Sequence, residues 1–255
     1  LLHNYWFEKY NINAEYSIIE AKENDLEKIV KKVKNKSLSG ANITLPYKRK
    51  IISYVDKIMN DADHTGSVNT LLLNDEGLVT GENTDVFGLQ AAYLKEIDNI
   101  PNKKALVIGA GGVSSSVIFS LQKSGVKNIS IINRTKDKCL FLKKKFKYLN
   151  VLIWENLLSE IGNYDIIVNA TSLGLKNGQE FSFDFKNYNK NMIYIDTIYN
   201  PLETKTFKYL KERDVKVFNG LNMFIYQGQK SFYLWNKINP EIDQNLINLL
   251  LSKLK

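Results

Sequence analysis

The chain has 255 residues, of which 44% are hydrophobic and 24% are charged, and its formal net charge at pH 7 is +8. This composition is typical of globular proteins and excludes a disordered chain, while the apolar runs are too short to span a bilayer. The single cysteine, Cys139, excludes an internal disulfide and a cysteine metal cluster. The first residues lack the features of a signal peptide, so we expect a cytoplasmic protein.

The positive charge is distributed over many lysines that are interleaved with asparagine and isoleucine. A nucleic-acid surface would concentrate them on one face, and even the densest cluster, at residues 143–147, is predicted to be the solvated side of a helix. The two histidines, His3 and His64, lack the spacing of metal ligands. We therefore predict no nucleic-acid partner, no membrane partner and no metal.

The first hundred residues mix strands and helices without a regular order. Alternating apolar residues predict strands, and apolar residues three or four positions apart predict helices. In chain order the predicted elements are a strand over 15–21, a helix over 25–33, a strand over 40–45, a helix that begins at Pro46, strands over 68–73 and 78–80, and a helix over 85–97.

A polar stretch at residues 98–102 contains Pro101 and marks the predicted domain boundary. After it, strands and helices alternate, which predicts a doubly wound parallel sheet. In chain order these elements are a strand over 105–108, a helix over 114–123, a strand over 129–132, a helix over 137–146, strands over 151–154, 165–169 and 192–196, a helix over 203–211, and two terminal helices within 222–255. The fold class is therefore α/β with two domains.

A glycine-rich segment, Gly109-Ala110-Gly111-Gly112-Val113-Ser114, follows a predicted buried strand and opens a helix. The first glycine permits a tight turn, the second lets the backbone approach a pyrophosphate, and the helix N-terminus offers free N–H groups. The third position of this fingerprint is Ser114 where glycine or alanine is usual. The context predicts a dinucleotide-binding loop.

The end of the next strand favours NADP over NAD. NAD enzymes usually carry a carboxylate there, which accepts hydrogen bonds from the ribose. Here the strand ends at Asn133-Arg134-Thr135, where a guanidinium can bind a 2′-phosphate and Lys138 can add charge one turn later.

Polar residues of the first half supply a candidate reaction site. Lys48 falls in the first turn of the predicted helix, where its charge opposes the helix dipole, and Thr44 ends the preceding strand. Asn69 begins a strand, and Asp85 lies where a loop meets a helix. From its position alone, Asp85 is equally well explained as a helix cap.

At these positions the chain resembles the shikimate dehydrogenase family. The string from Asn42 to Lys48 matches the family's Asn-Val-Thr-x-Pro-x-Lys motif. Further motifs match in order: Asn69-Thr70, Asn83-Thr84-Asp85, residues 109–114, residues 133–135, Asn169-Ala170-Thr171-Ser172, Tyr199-Asn200-Pro201, Asn219-Gly220-Leu221 and Gln227.

The resemblance implies an NADP-dependent oxidoreductase that reversibly reduces 3-dehydroshikimate to shikimate, in the pathway to chorismate and the aromatic amino acids. It makes Lys48 and Asp85 the catalytic pair. The residues that it assigns to the substrate are Thr44, Asn69, Tyr199 and Gln227. Those that it assigns to the cofactor, beside the glycine loop from Gly109 to Val113 and Asn133, Arg134, Thr135 and Lys138, are Asn169, Thr171, Ser172, Gly220 and Met223.

The resemblance also implies the domain assignment. Residues 1–98 with 222–255 form the substrate-binding domain, and residues 99–221 form a Rossmann-like NADP-binding domain. The partner is a small-molecule substrate, and the protein is a monomer or a homodimer.

Two departures from the family pattern stand out. The family begins with a strand and a Ser-x-Ser segment that binds the substrate carboxylate, and this sequence starts after both, so we expect that the natural N-terminus is longer and that the sequence as it stands acts more weakly. Asn222 occupies a position where the family often has glycine.

Three alternatives remain open at this point. The first is a quinate/shikimate dehydrogenase that uses NAD as well as NADP, and the second is a catalytically weak NADP-binding or small-molecule-binding module. The third, a basic RNA-binding protein, lacks the interleaved aromatic and basic residues of a recognition motif.

Overall fold

The computed structural model describes residues 1–175, 180–181 and 187–254. Over these residues the strands are β1 (Gly40–Asn42), β2 (Lys57–Ile58), β3 (Thr70–Leu73), β4 (Val79–Glu82), β5 (Lys104–Ile108), β6 (Asn128–Ile132), β7 (Asn150–Val151), β8 (Ile166–Asn169), β9 (Ile193–Asp196) and β10 (Lys216–Phe218).

The α-helices over the same residues are α1 (Leu2–Lys9), α2 (Leu26–Lys34), α3 (Asn60–Thr65), α4 (Thr84–Ala92), α5 (Ser114–Lys123), α6 (Lys136–Lys145), α7 (Leu157–Glu160), α8 (Lys205–Lys211), α9 (Leu221–Asn236) and α10 (Gln244–Leu251). Short 3-10 helices cover Glu23–Asp25, Lys50–Tyr54, Leu94–Glu96, Ile100–Asn102, Trp154–Asn156 and Ile161–Asn163. None of the helices described is long and apolar enough to cross a membrane.

The chain divides into two compact units, one of residues 1–88 with 225–253 and the other built around residues 89–224. The division falls within α4 and α9, ten residues before the first domain boundary that the sequence predicts and three residues after the second. Those boundaries stay a prediction.

The first unit contains a mixed sheet with the strand order β1-β3-β4-β2 in the described part of the chain. Strand β3 pairs antiparallel with β1 and with β4, while β2 pairs parallel with β4. Helix α2 buries Leu26, Ile29, Val30 and Val33, since residues three or four positions apart share one face of a helix. They join a core that includes Leu71 of β3.

The second unit contains a sheet in which every described pairing is parallel, with the strand order β10-β9-β8-β5-β6-β7. This is the order of dinucleotide-binding sheets, whose direction of progression reverses between β5 and β8. Strands β5, β6 and β8 are almost wholly buried, as expected of a parallel sheet covered on both faces. The predicted α/β class and doubly wound parallel sheet are confirmed.

Residues 15–21 form no strand among the described residues, so that prediction is wrong. The segment is largely exposed, and the backbone of Tyr16 bonds to a side chain instead of a neighbouring strand. Its N–H donates to Asn4 Oδ1 at 2.7 Å, and its carbonyl accepts from Asn4 Nδ2 at 3.1 Å.

The prediction of a helix that begins at Pro46 is also wrong. Residues 45–49 form a turn in which the Tyr47 N–H donates to the Thr44 carbonyl at 3.0 Å, and the Leu45–Pro46 peptide bond is cis. A 3-10 helix follows only at Lys50–Tyr54. Lys48 therefore lies in a turn, and the opposing helix dipole does not apply to it.

Candidate functional site

An ion pair between Lys48 and Asp85 lies in the first unit. The Lys48 Nζ atom is 2.7 Å from Asp85 Oδ2, and the two side chains are only 14% and 9% exposed. The Lys48 carbonyl accepts a hydrogen bond from the Val68 N–H at 2.8 Å, which ties the turn to the chain just before β3. A paired ammonium that is mostly shielded from water interacts with nearby charge more strongly than a solvated lysine does.

The second oxygen of Asp85 is held by an amide. Asn69 Nδ2 donates to Asp85 Oδ1 at 2.9 Å, so the carboxylate is bonded on both sides. The backbone N–H groups at the start of α4 do not bond to the Asp85 carboxylate. The Thr84 N–H donates to Asn69 Oδ1 at 2.8 Å, and the Asp85 N–H donates to Asn83 Oδ1 at 3.1 Å. Asn69 and Asn83 thus cap the helix, and the Asp85 carboxylate faces Lys48.

A buried polar network continues from this pair to α9. Thr84 Oγ1 lies 3.4 Å from Gln227 Oε1 and 3.2 Å from Ser231 Oγ, one turn further along α9. Asn42 Nδ2 donates to Ser231 Oγ at 3.1 Å. Ser231 was not anticipated from the sequence, although its position four residues after Gln227 puts the two on one helix face.

Thr44, the remaining substrate residue predicted in this unit, is exposed at the start of the turn that carries Lys48. Tyr199, the other residue predicted to bind substrate, belongs to the second unit. Its ring stacks on Phe224 with 4.8 Å between centroids, and burial raises the pKa of its phenol.

In the second unit the glycine loop joins β5 to α5. Gly109 has a φ of +109°, which favours glycine, and a Cβ at this position would lie 2.7 Å from Thr171 Cγ2. The Gly111 N–H donates to Ser114 Oγ at 2.9 Å. The serine that departs from the fingerprint therefore fixes the loop by a hydrogen bond, and the backbone passes close to the residues after β8.

The end of β6 lies beside the glycine loop. Asn133 Oδ1 accepts a hydrogen bond from the Ala110 N–H at 3.2 Å, and Asn133 Nδ2 donates to the Thr135 carbonyl at 2.9 Å. Arg134, Thr135 and Lys138 are exposed. Asn133 thus connects two segments predicted to bind the cofactor and leaves the two cations beside it open to solvent.

Asn169 and Asp196 end the adjacent strands β8 and β9. Asn169 Nδ2 donates to Asp196 Oδ1 at 3.0 Å, while Asn169 Oδ1 accepts from Thr171 Oγ1 at 2.7 Å. Asp196 also accepts from Thr204 Oγ1 at 2.8 Å, and burial raises its pKa to about 6. Asp196 was not singled out from the sequence, although a carboxylate that ends an apolar strand is a usable signal. Ser172, which follows Thr171, is exposed.

The loop after β10 carries the last predicted cofactor residues. A Cβ on Gly220 would collide with the backbone of Thr197, and the Gly220 N–H donates to the Ile198 carbonyl at 2.8 Å. Met223 is buried in the first turn of α9, whereas Asn222 is exposed there. The asparagine side chain therefore points away from the packed side of the turn.

Two family models match the chain. Residues 1–71 match the shikimate dehydrogenase substrate binding domain, and residues 92–201 match shikimate / quinate 5-dehydrogenase. The NADP(+) shikimate dehydrogenase of Pelagibacter ubique is 40% identical over 249 residues, which are 98% of this chain and 92% of that protein.

Solved structures of shikimate dehydrogenases are also similar to this chain. The shikimate dehydrogenase of Aquifex aeolicus superposes with a TM-score of 0.88 at 32% identity, covering 99% of this chain and 91% of that one. The shikimate 5-dehydrogenase of Thermus thermophilus, solved with NADP(H) and shikimate, superposes with a TM-score of 0.86 at 28% identity, covering 100% and 93%.

Proposed function

Because the chain belongs to the shikimate dehydrogenase family, we propose that Lys48 and Asp85 are the catalytic pair with which it reduces 3-dehydroshikimate to shikimate. The chain is an NADP-dependent oxidoreductase of the aromatic amino acid pathway, and the reaction is reversible. The observation that carries the assignment of the pair is the shielded 2.7 Å contact between Lys48 and Asp85, beside Asn69.

Lys48 supplies the proton in this proposal. NADPH, when bound, supplies the hydride that reduces the C3 ketone. The ketone oxygen then carries negative charge, which the Lys48 ammonium stabilises before it donates a proton to that oxygen. In the direction of shikimate oxidation, the Lys48 amine accepts the proton from the C3 hydroxyl.

Asp85 keeps Lys48 oriented during this transfer. One carboxylate oxygen bonds the Lys48 ammonium and the other is held by Asn69, so the carboxylate has little freedom to rotate. Asn69 is fixed in turn, since its carbonyl oxygen Oδ1 accepts from the Thr84 N–H. A site whose groups are held before the substrate binds has less reorganisation to undergo in the transition state.

The remaining substrate contacts are assigned to Thr44, Asn69, Gln227 and Tyr199, which offer hydroxyl and amide groups for the ring hydroxyls and the carboxylate. Thr44 is exposed and Gln227 is part of the polar network beside Asp85. These residue types suit a small, highly hydroxylated substrate, because a buried hydroxyl needs a partner.

The glycine loop fits a dinucleotide. Its tight turn at Gly109 excludes side chains, and α5 begins directly after the loop, so the positive end of that helix dipole lies beside the loop, where it favours a pyrophosphate. In this proposal Gly109 to Val113, with Asn169, Thr171 and Ser172, hold the pyrophosphate and ribose. Arg134, with Thr135 and Lys138, binds the 2′-phosphate, and Gly220 and Met223 lie against the nicotinamide.

We assign the protein to the cytoplasm, as a monomer or homodimer whose partner is its small-molecule substrate.

Supplying shikimate or quinate, each with NADP⁺ or NAD⁺, and following the absorbance of the reduced cofactor tests the function. We expect turnover with shikimate and NADP⁺ to exceed that of the other three combinations. A folded protein that prefers quinate, or that binds NADP⁺ without turnover, would contradict the proposal.

A further inference from the structure

The loop at residues 219–223 is held by hydrogen bonds on both sides of Gly220. The Gly220 N–H donates to the Ile198 carbonyl, and the Leu221 N–H donates to Asn219 Oδ1 at 3.1 Å. A third contact comes from Tyr93, which is distant in sequence and lies directly after α4. All of these residues belong to the second unit.

The Tyr93 hydroxyl bonds to both ends of this loop. It donates to the Asn219 carbonyl, and it accepts from the Met223 N–H at 3.2 Å. The Met223 N–H lies in the first turn of α9, where amides lack a partner within the helix. One phenolic hydroxyl therefore satisfies the carbonyl that precedes Gly220 and an amide that follows it.

The setting of Tyr93 keeps this hydroxyl in place. The residue is 1% exposed, and its ring packs against Phe218 with 5.1 Å between centroids. Burial raises the pKa of the phenol further above its ordinary value, so the hydroxyl stays protonated and can act as a donor. The ring position is set by packing, and the hydroxyl acts as a rigid link between two backbone groups.

We propose that Tyr93 is a positioning residue for the nicotinamide end of the cofactor, because its hydroxyl fixes the backbone on both sides of Gly220. The inference rests on the proposed function, which places Gly220 and Met223 against the nicotinamide. A loop fixed in this way presents its backbone to the nicotinamide without being ordered on binding, which reduces the entropic cost of binding. The Tyr93 hydroxyl bonds to Asn219 and Met223, so the contacts proposed for Arg134 with the 2′-phosphate and for the glycine loop with the pyrophosphate should not depend on it.

The substitution Tyr93→Phe removes the hydroxyl and keeps the ring. We expect the dissociation constant of NADPH to rise about three- to tenfold, the effect of one or two lost hydrogen bonds. The affinity for 2′-phospho-ADP-ribose, which lacks the nicotinamide, should not change. The kcat with shikimate should fall about tenfold while the KM for shikimate changes less.

Tyr164→Phe is the matched control. Tyr164 is also buried in the second unit, and its hydroxyl donates to Ser130 Oγ at 2.8 Å, within the sheet core. The Tyr164→Phe variant should be less stable than wild type but keep the wild-type ratio of NADPH affinity to 2′-phospho-ADP-ribose affinity. A purely structural role for Tyr93 would make the two variants behave alike.

The outcomes distinguish a failure of the proposed function from a failure of the inference about Tyr93. A wild type that binds neither ligand overturns the proposed function, and the inference with it. A wild type that turns over shikimate, with a Tyr93→Phe variant that weakens both ligands equally or neither, overturns the inference alone. Should the variant fail to fold, hydrogen exchange on the wild type decides: NADPH should slow exchange of the Met223 amide more than 2′-phospho-ADP-ribose does, and equal rates would contradict the inference.

Discussion

Lys48 is the residue on which the proposed chemistry depends. Replacing it with alanine removes the proposed proton donor, so kcat should fall about 10²- to 10⁴-fold while the KM for shikimate changes less. Lys50→Ala is the matched control, because Lys50 lies two residues after Lys48 and forms an exposed ion pair with Glu23. Steady-state kinetics on both variants check this, and a Lys48→Ala enzyme with near-normal kcat would show that the ion pair is structural.

Arg134 is the residue to which we attribute the expected preference for NADP. A hydrogen bond to a charged partner contributes about 1.5–3 kcal/mol, so one contact with the 2′-phosphate favours NADP about tenfold to a hundredfold. Arg134→Ala should raise the KM for NADP⁺ strongly and that for NAD⁺ little, and added salt should reduce the difference.

Arg213→Ala is the control for this variant. Arg213 is another surface arginine of the second unit, stacked on Tyr209 at 3.7 Å from the ring centroid. It should leave both KM values at their wild-type level. Equal losses with the two cofactors in Arg134→Ala would mean that Arg134 supports the loop and does not bind the phosphate.

Among the elements, the glycine loop makes two different demands on its glycines. At Gly109 a side chain would meet Thr171 Cγ2 at 2.7 Å on a backbone with φ of +109°, so Gly109→Ala should lower the unfolding free energy by about 1–3 kcal/mol. At Gly111 a Cβ would meet only the Ala170 carbonyl oxygen, at an ordinary 3.7 Å.

Gly111→Ala should therefore keep the wild-type stability and weaken NADPH binding, since the role proposed for this glycine is to let the backbone approach the pyrophosphate. Urea unfolding and NADPH fluorescence titration of both variants measure the two effects. A Gly111→Ala protein with unchanged NADPH affinity would remove this glycine from the binding loop.

The strand ends of β8 and β9 introduce a pH dependence through Asp196. Burial raises its pKa from 3.8 to about 6, so the folded state binds the proton more tightly than the unfolded state. Its contribution to stability is complete below pH 3.8 and is lost as the pH rises through about 6. A rise of the pKa from 3.8 to about 6 corresponds to a loss of about 2–3 kcal/mol in the unfolding free energy.

Asp196→Asn removes this dependence, because the amide does not titrate. The unfolding free energy of wild type should therefore fall relative to that of Asp196→Asn between about pH 4 and pH 7. Asp243→Asn is the comparison in which stability should depend on pH in the opposite direction. The hydrogen bond from Lys9 lowers the pKa of Asp243 to about 2, so wild type loses this contribution as the pH falls below 3.8. A parallel pH profile for wild type and Asp196→Asn would contradict the assignment.

The elements differ in how far the sequence predicts them. Buried parallel strands such as β5 and β8 were predictable because their apolar runs are continuous. The segment at 15–21 alternates like a strand, yet Tyr16 satisfies its backbone through Asn4, a contact between distant residues that periodicity does not contain. Strand β10 has three residues and was not predicted, since so short a stretch carries little pattern.

At the scale of the whole molecule, each of the two units contains a buried hydrophobic cluster, and each contributes one half of the proposed chemistry. The first carries Lys48 and Asp85, and the second carries the glycine loop and Arg134. Motif order predicted this distribution, while the supporting contacts of Ser231, Asp196 and Tyr93 became visible only in three dimensions. The sequence offers partial signals for Asp196, which ends an apolar strand, and for Ser231, four residues after Gln227, whereas the Tyr93 hydroxyl bonds to backbone groups distant in sequence, which spacing does not indicate.

The central claim is that Lys48 and Asp85 act as one catalytic unit, and a double-mutant cycle on kcat tests it most directly. Groups that act together show non-additive losses when both are removed. In shikimate oxidation with NADP⁺, the kcat of Lys48→Ala/Asp85→Asn should therefore lie within a few-fold of the kcat of Lys48→Ala. Losses that multiply, from folded proteins that still bind NADPH, would contradict the claim.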